Sequence, residues 1–145
     1  MRKIIVCSLA CLISVSANAT NWIKTVTDKQ GVISYIDTDS IKIINENTQI
    51  VTAFFRYENL SKAKKIINNK VVDSTSSKIA FNCESESSYM LSGIFYDSNG
   101  ANLDSFSRSI DGSFSSFGVI HPDTLGYADM YAACAIAGFK NISDL

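Results

Sequence analysis

The segment TQIVTAFFRYE, residues 48–58, decides the fold of this chain. Val51, Ala53, Phe55 and Tyr57 stand at every second position within it, and successive side chains of a β-strand point to opposite faces of their sheet. This spacing predicts a strand with one face in the core.

Short β-branched and aromatic runs alternate with turn residues on both sides of this segment. Residues 28–31 and 97–100 both end in Gly, and Asn99-Gly100 readily supplies the positive φ of a hairpin turn. The pattern is typical of an antiparallel sheet rather than of alternating βαβ units. The predicted strands are residues 22–27, 32–37, 48–58, 77–83, 88–97 and 101–110, with residues 70–72 as an extension of one of them.

One helix is predicted, over residues 123–137. The segment contains five alanines, Asp123 or Thr124 can cap its start, and Gly138 can end it. Pro122 fixes φ just before the helix. The sequence thus predicts a single α+β domain, an antiparallel sheet of about six strands with one C-terminal helix packed on it.

Two cysteines, Cys83 and Cys134, lie outside the first 19 residues. Cys83 shares a strand face with Ile79 and Phe81, and Cys134 shares a helix stripe with Tyr131. In an oxidising compartment such a pair forms a disulfide, whereas a zinc site needs about four ligands and a redox motif needs a closer spacing. We predict a structural Cys83–Cys134 disulfide that stabilises the fold by roughly 4 kcal/mol.

The start of the chain predicts export. Arg2 and Lys3 precede an apolar run of about ten residues, which is too short for a membrane span, and Ala17 and Ala19 suit cleavage by signal peptidase. We expect cleavage after Ala19, so that residues 1–19 are a signal peptide and residues 20–145 a single domain. Its destination is the periplasm or the bacterial outer surface.

Lipidation would be an alternative fate for the signal segment. Cys11 is the only candidate for it, but Ser8 stands at its −3 position, where Leu is usual, and the segment before Cys11 is short for a signal. We therefore do not expect lipidation at Cys11.

The charge of the exported domain argues against nucleic acid as a partner. Residues 20–145 carry 11 basic and 14 acidic side chains, a net charge of −3. No global positive field therefore draws the domain to nucleic acid or to an anionic membrane.

Residues 60–70 are rich in lysine, with Lys62, Lys64, Lys65 and Lys70. One interpretation is a solvated loop or edge strand that lysines protect from aggregation. The other is a contact patch for an acidic protein partner. The sequence leaves both open.

Signatures of catalysis are missing from the sequence. The G-x-S-x-G motif is absent, and a calcium loop that starts at Asp97 fails at its twelfth position, which is Arg108. His121 is the sole histidine, and we expect it at the surface near the helix start. It could ligate haem, but nothing else marks a porphyrin pocket. We expect no enzyme, no metal and no cofactor.

The order of several short motifs resembles the bacterial surface-adhesin protein E family over most of residues 20–145. The motifs are Trp22, Tyr35-Ile36-Asp37, Ser40-Ile41, Asn82-Cys83, Tyr96-Asp97 with Gly100, then Val119, Pro122, Thr124 and Ala133-Cys134. The resemblance implies an exported binding module that attaches a bacterium to host extracellular-matrix proteins, and some relatives are credited with haem or plasminogen capture. The alternative is a periplasmic envelope-accessory protein with no host-binding role.

Overall fold

The structure is a computed structural model that describes residues 20–110 and 116–141. The predicted signal peptide, residues 1–19, and Cys11 within it lie outside these residues. The described strands are β1 Trp22–Thr27, β2 Ile33–Asn45, β3 Ile50–Glu58, β4 Ile66–Ile67, β5 Lys70–Val71, β6 Ser74–Asn82, β7 Ser87–Tyr96, β8 Asn102–Ser107 and β9 Gly118–Val119. A 3-10 helix covers Leu60–Ala63, and the α-helix α1 covers Leu125–Ile136.

Seven of the described strands form one antiparallel sheet, in the order β1-β2-β3-β6-β7-β8, with β9 pairing the start of β7. The six strands of the main order confirm the predicted antiparallel sheet. Strand β2 runs on to Asn45, past the predicted end at residue 37. Its pairing with β3 shifts register between Asp37 and Lys42. There the Ser40 hydroxyl accepts the Phe54 N–H at 2.8 Å. The pairing therefore continues past a stretch whose sequence favours a turn.

One face of the sheet forms the core. Val51, Ala53 and Phe55 on β3 are fully buried, as the alternation predicts, and Phe55 meets Phe81 of β6 edge to face at 5.6 Å between ring centroids. Helix α1 covers this face over the first strands, with Met130 and Ala133 fully buried.

Both ends of helix α1 follow from local sequence. The Thr124 side chain accepts the Tyr127 N–H at 3.2 Å, which confirms a predicted cap. At the other end Gly138 has φ 86°, the Gly138 N–H bonds the Ala135 carbonyl, and the Phe139 N–H bonds the Cys134 carbonyl. These two bonds form a Schellman motif, so the helix ends where the glycine predicts.

The Cys83–Cys134 disulfide is present and joins the strand–helix pair as predicted, with 5.7 Å between the two Cα atoms. Both cysteines are buried, at 2% and 0% exposure. The bond lies in the main core cluster, so it anchors the C-terminal half of the helix to the residue that follows β6.

The two predicted glycine turns have the same construction. In each, an Asp carbonyl accepts the N–H of a glycine three residues later, and the Asp carboxylate accepts the N–H of the residue after that glycine. Gly31 has φ 85° and Gly100 has φ 76°, a conformation that favours glycine. The shared residues are Asp28 with Gly31 and Asp97 with Gly100.

Candidate binding surfaces

The four predicted binding lysines lie in one excursion from the main sheet, residues 59–73, which we call the lysine excursion. Lys62 belongs to the 3-10 helix, Lys64 follows it in a left-handed conformation, and Lys70 opens β5. Strands β4 and β5 pair through the two-residue turn Asn68-Asn69 and form a separate hairpin. The structure therefore brings the four lysines into one segment.

Two of these lysines have partners inside the domain. Lys65 Nζ lies 4.3 Å from the ring centroid of Phe95, and Lys70 Nζ lies 3.6 Å from Asp97 Oδ2. The pKa of Asp97 is lowered, first by the hydrogen bond from the Ala101 N–H and further by Lys70. Lys65 and Lys70 thus help to hold the excursion against the end of the sheet.

The same excursion exposes an apolar pair that the sequence pattern did not predict. Ile66 and Val71 lie opposite each other in the hairpin and are 64% and 48% exposed. Asn68-Asn69 is the signal that could have predicted this hairpin, since Asn tolerates the positive φ of such a turn. Exposed Lys64 and the apolar pair together give the excursion both charge and hydrophobic area.

A second surface lies on the sheet face opposite α1. We call it the open face and define it by six side chains on four adjacent strands: Trp22 and Lys24 of β1, Tyr35 of β2, Phe54 and Arg56 of β3, and Lys78 of β6. Register places Lys24 opposite Tyr35, Tyr35 opposite Arg56, and Phe54 opposite Lys78. These side chains alternate with the buried ones of the core face.

Cation–π contacts organise the open face. The Arg56 guanidinium lies 5.2 Å from the ring centroid of Trp22 and 5.0 Å from that of Tyr35. Lys78 Nζ lies 5.7 Å from the ring of Phe54. Glu58 Oε1 lies 3.1 Å from Arg56 Nε in an ion pair without hydrogen-bond geometry, and the Glu58 and Arg56 side chains are 38% and 42% exposed. The face thus presents ordered aromatic and cationic groups to solvent.

Asp129 is the most enclosed charged group of the described chain and lies in the middle of α1. Thr25 Oγ1 and Ser34 Oγ donate to its Oδ1 at 2.8 and 2.7 Å, and the Tyr57 hydroxyl donates to its Oδ2 at 2.8 Å. A register shift between Lys24 and Val26 makes Thr25 a bulge residue, which aims its side chain at the helix. We call these four residues the Asp129 cluster.

Burial shifts the pKa values of two groups in this cluster. The pKa of Asp129 is raised, because the effect of burial is larger than that of the three hydrogen bonds, which lower it. Burial, followed by the charge of Asp129, raises the pKa of Tyr57 well above its ordinary 10.0. Because Asp129 has no exposed surface, the cluster connects helix to sheet and offers nothing to a ligand.

An open groove of about 380 Å³ separates the β1–β2 turn from the start of α1. Its polar groups have structural partners: Asp28 Oδ1 accepts two backbone N–H groups of its own turn, and Thr124 caps the helix. His121 is exposed near the helix start, where the sequence predicts it. Across residues 20–110 and 116–141, no group of three or more His, Cys, Asp or Glu side chains could hold a metal ion, and no helix is both long and apolar enough to cross a membrane.

These features define a small disulfide-linked α+β domain whose two described groups of cations, the lysine excursion and the open face, lie at its surface. The sequence pattern of the family described as Surface-adhesin protein E matches residues 22–135, and the chain belongs to that family. The resemblance of the short motifs is thereby confirmed. The family assignment identifies a surface adhesin.

Two structures of Haemophilus influenzae protein E share the fold. Both are 23% identical to this chain and cover 84% of it; the matches span 96% and 89% of their own chains, with TM-scores of 0.52 and 0.53. A search of the curated proteins finds no match for this chain.

Proposed function

We propose that the chain is an exported bacterial adhesin that binds a host extracellular-matrix protein without catalysing a reaction or holding a cofactor. Membership of the surface-adhesin protein E family supports this proposal, and so does the sequence of residues 1–19, which fits a signal peptide cleaved after Ala19. Export also suits a single domain closed by a disulfide.

The lysine excursion is the contact that we propose for the matrix protein. Exposed Lys62 and Lys64 stand in the same segment as the exposed Ile66–Val71 pair, which is the observation that carries this assignment. Lysines at a rim raise the rate of encounter with an acidic partner, and the apolar pair adds area that a partner can bury. Lys65 and Lys70 contribute by positioning the excursion.

Binding to immobilised matrix proteins tests this function. Replacing both Lys62 and Lys64 by Ser in residues 20–145 should weaken binding and reduce its dependence on salt, because exposed charges are screened over about 10 Å at 0.1 M salt. The control variant replaces Lys29 and Lys42 by Ser. Both are also exposed, so this variant loses the same amount of charge. Equal binding by both variants would contradict a role for the excursion.

The alternative function is a periplasmic envelope-accessory protein that never meets a host. Protease treatment of intact cells that carry a tagged chain separates the two. Digestion on intact cells supports the adhesin, whereas protection until the outer membrane is permeabilised would support the periplasmic alternative.

A further inference from the structure

We propose that the open face is a second binding surface, and that it binds a segment of a partner protein that carries both acidic and apolar side chains. It lies on the sheet face opposite α1, whereas the Lys65–Phe95 contact holds the lysine excursion on the core face. The proposal therefore concerns a surface that the matrix-binding assignment does not use.

The first argument is charge complementarity. The open face carries Lys24, Arg56 and Lys78, although residues 20–145 carry a net charge of −3. Asp37, which is 5% exposed, lies in register between Trp22 and Phe54 on the same face. Among the described residues, Glu58 is the acidic side chain within ion-pair distance of Arg56, and none lies within that distance of Lys24 or Lys78. The three cations outnumber Glu58 and Asp37, so this face is positive on a domain that is acidic overall, and it attracts an acidic partner.

The second argument is the arrangement of the aromatic groups. Trp, Tyr and Arg are the residues that contribute most often to binding energy at protein interfaces. Here Arg56 stands within cation–π distance of Trp22 and Tyr35 before any partner arrives, so less rotamer entropy is lost on binding.

The mixed character of the face selects the class of partner. Phe54, next to Arg56 in β3's outward row and opposite Lys78, is 39% exposed. Ile94 of β7 is 37% exposed and lies in the same row as Arg56, two strands away, so apolar area borders the cations. A protein segment with both acidic and apolar side chains matches this mixture. A sulfated glycan offers charge at a density that an acidic domain with three dispersed cations does not match.

Trp22 makes the test direct, because it is the only tryptophan of the chain and belongs to the open face. The probe is a tryptophan-free peptide of about 12 residues built of Glu-Glu-Leu repeats, long enough when extended to cross four strands. Titration into residues 20–145 should change Trp22 emission in a saturable way, and added NaCl should weaken the binding.

Two variants with the same loss of charge locate the site. Replacing both Lys24 and Lys78 by Ser should weaken peptide binding about fivefold or more, whereas replacing both Lys62 and Lys64 should change it less than about twofold. Circular dichroism and thermal unfolding establish that both variants fold. Arg56→Lys, which keeps the charge and loses the planar stacking group, should also weaken binding.

Several results would overturn the proposal. One is peptide binding, measured by calorimetry, with no change in Trp22 emission; another is an equal loss in the two double variants. Tighter binding of a heparin oligosaccharide than of the peptide would assign the face to a glycan, and dimerisation abolished by the Lys24 and Lys78 replacements would assign it to a second copy of the chain. The matrix-binding assay with Lys62 and Lys64 is independent of all these outcomes.

Discussion

The hydroxyl of Tyr57 donates a hydrogen bond of 2.8 Å to Oδ2 of Asp129, which joins the central strand β3 to helix α1. Both side chains are buried. Thr25 and Ser34 bring β1 and β2 to the same carboxyl group, so one residue of the helix is held by three strands. A buried polar group of this kind fixes position as well as contributing stability, because any shift of the helix leaves donors unpaired.

Tyr57→Phe should lower the free energy of unfolding by about 1–3 kcal/mol, the usual cost of leaving a buried acceptor without its donor. Urea unfolding of residues 20–145 measures it. Tyr127→Phe is the matched control, since Tyr127 lies on the same helix with its hydroxyl outside the Asp129 cluster. Equal losses in the two variants would mean that the bond to Asp129 contributes little.

The stability difference between the wild type and Asp129→Asn should depend on pH. The pKa of Asp129 is raised from its ordinary 3.8, so the folded protein binds this proton more tightly than the unfolded chain does. The contribution of the group is therefore complete below pH 3.8 and is lost as the pH rises through the raised pKa.

Unfolding of both proteins across this range measures the effect. We expect the Asn replacement to cost more below pH 3.8 than above the raised pKa, because ionising the buried carboxyl group costs free energy in the wild type alone. A difference that instead grows with pH would show that the three hydrogen bonds outweigh burial.

Replacing both Cys83 and Cys134 with Ser removes the disulfide and should lower the free energy of unfolding by roughly 4 kcal/mol. Without the bond the unfolded chain gains conformational entropy, because no covalent link closes a long loop in it. The residues are 51 positions apart. Urea unfolding of the variant against the oxidised wild type gives the value. A thiol assay of denatured, unreduced residues 20–145 should find no reactive thiol, and two reactive thiols would contradict the bond.

Gly100→Ala should destabilise the domain by about 1 kcal/mol through the backbone alone, whereas Gly118→Ala should have little effect. A Cβ at either glycine meets no atom within 4 Å, but only Gly100 has a positive φ, of 76°. Thermal unfolding of the pair separates backbone strain from packing. Similar melting temperatures would indicate that the turn at 97–100 relaxes at no cost.

The sequence predicts the parts of the fold that depend on local signals. Thr124 and Gly138 mark the two ends of α1, and the alternation from Val51 to Tyr57 gives the buried face of β3. Each of these depends on neighbours within a few residues, so the pattern is readable without tertiary structure.

The Asp129 cluster and the open face could not be predicted in this way. The three donors to Asp129 lie 104, 95 and 72 positions away from it along the chain. Likewise, Trp22, Tyr35 and Arg56 meet only because β1, β2 and β3 pair in one register. The sequence signal for the Asp129 cluster is an Asp in the middle of an Ala-rich helix that packs on the sheet. An Asp is rarely fully buried without partners, so its burial would require donors from the sheet.

The bond from Thr25 to Asp129 has a consequence for how the domain is made. It links the first strand to the last helix, so the domain cannot reach its final state until almost the whole chain has been synthesised and translocated. Until then, the apolar face of the strands has no cover and needs protection from aggregation. We therefore expect a chain shortened after Ile120 to be degraded in limited proteolysis rather than to leave a smaller folded product.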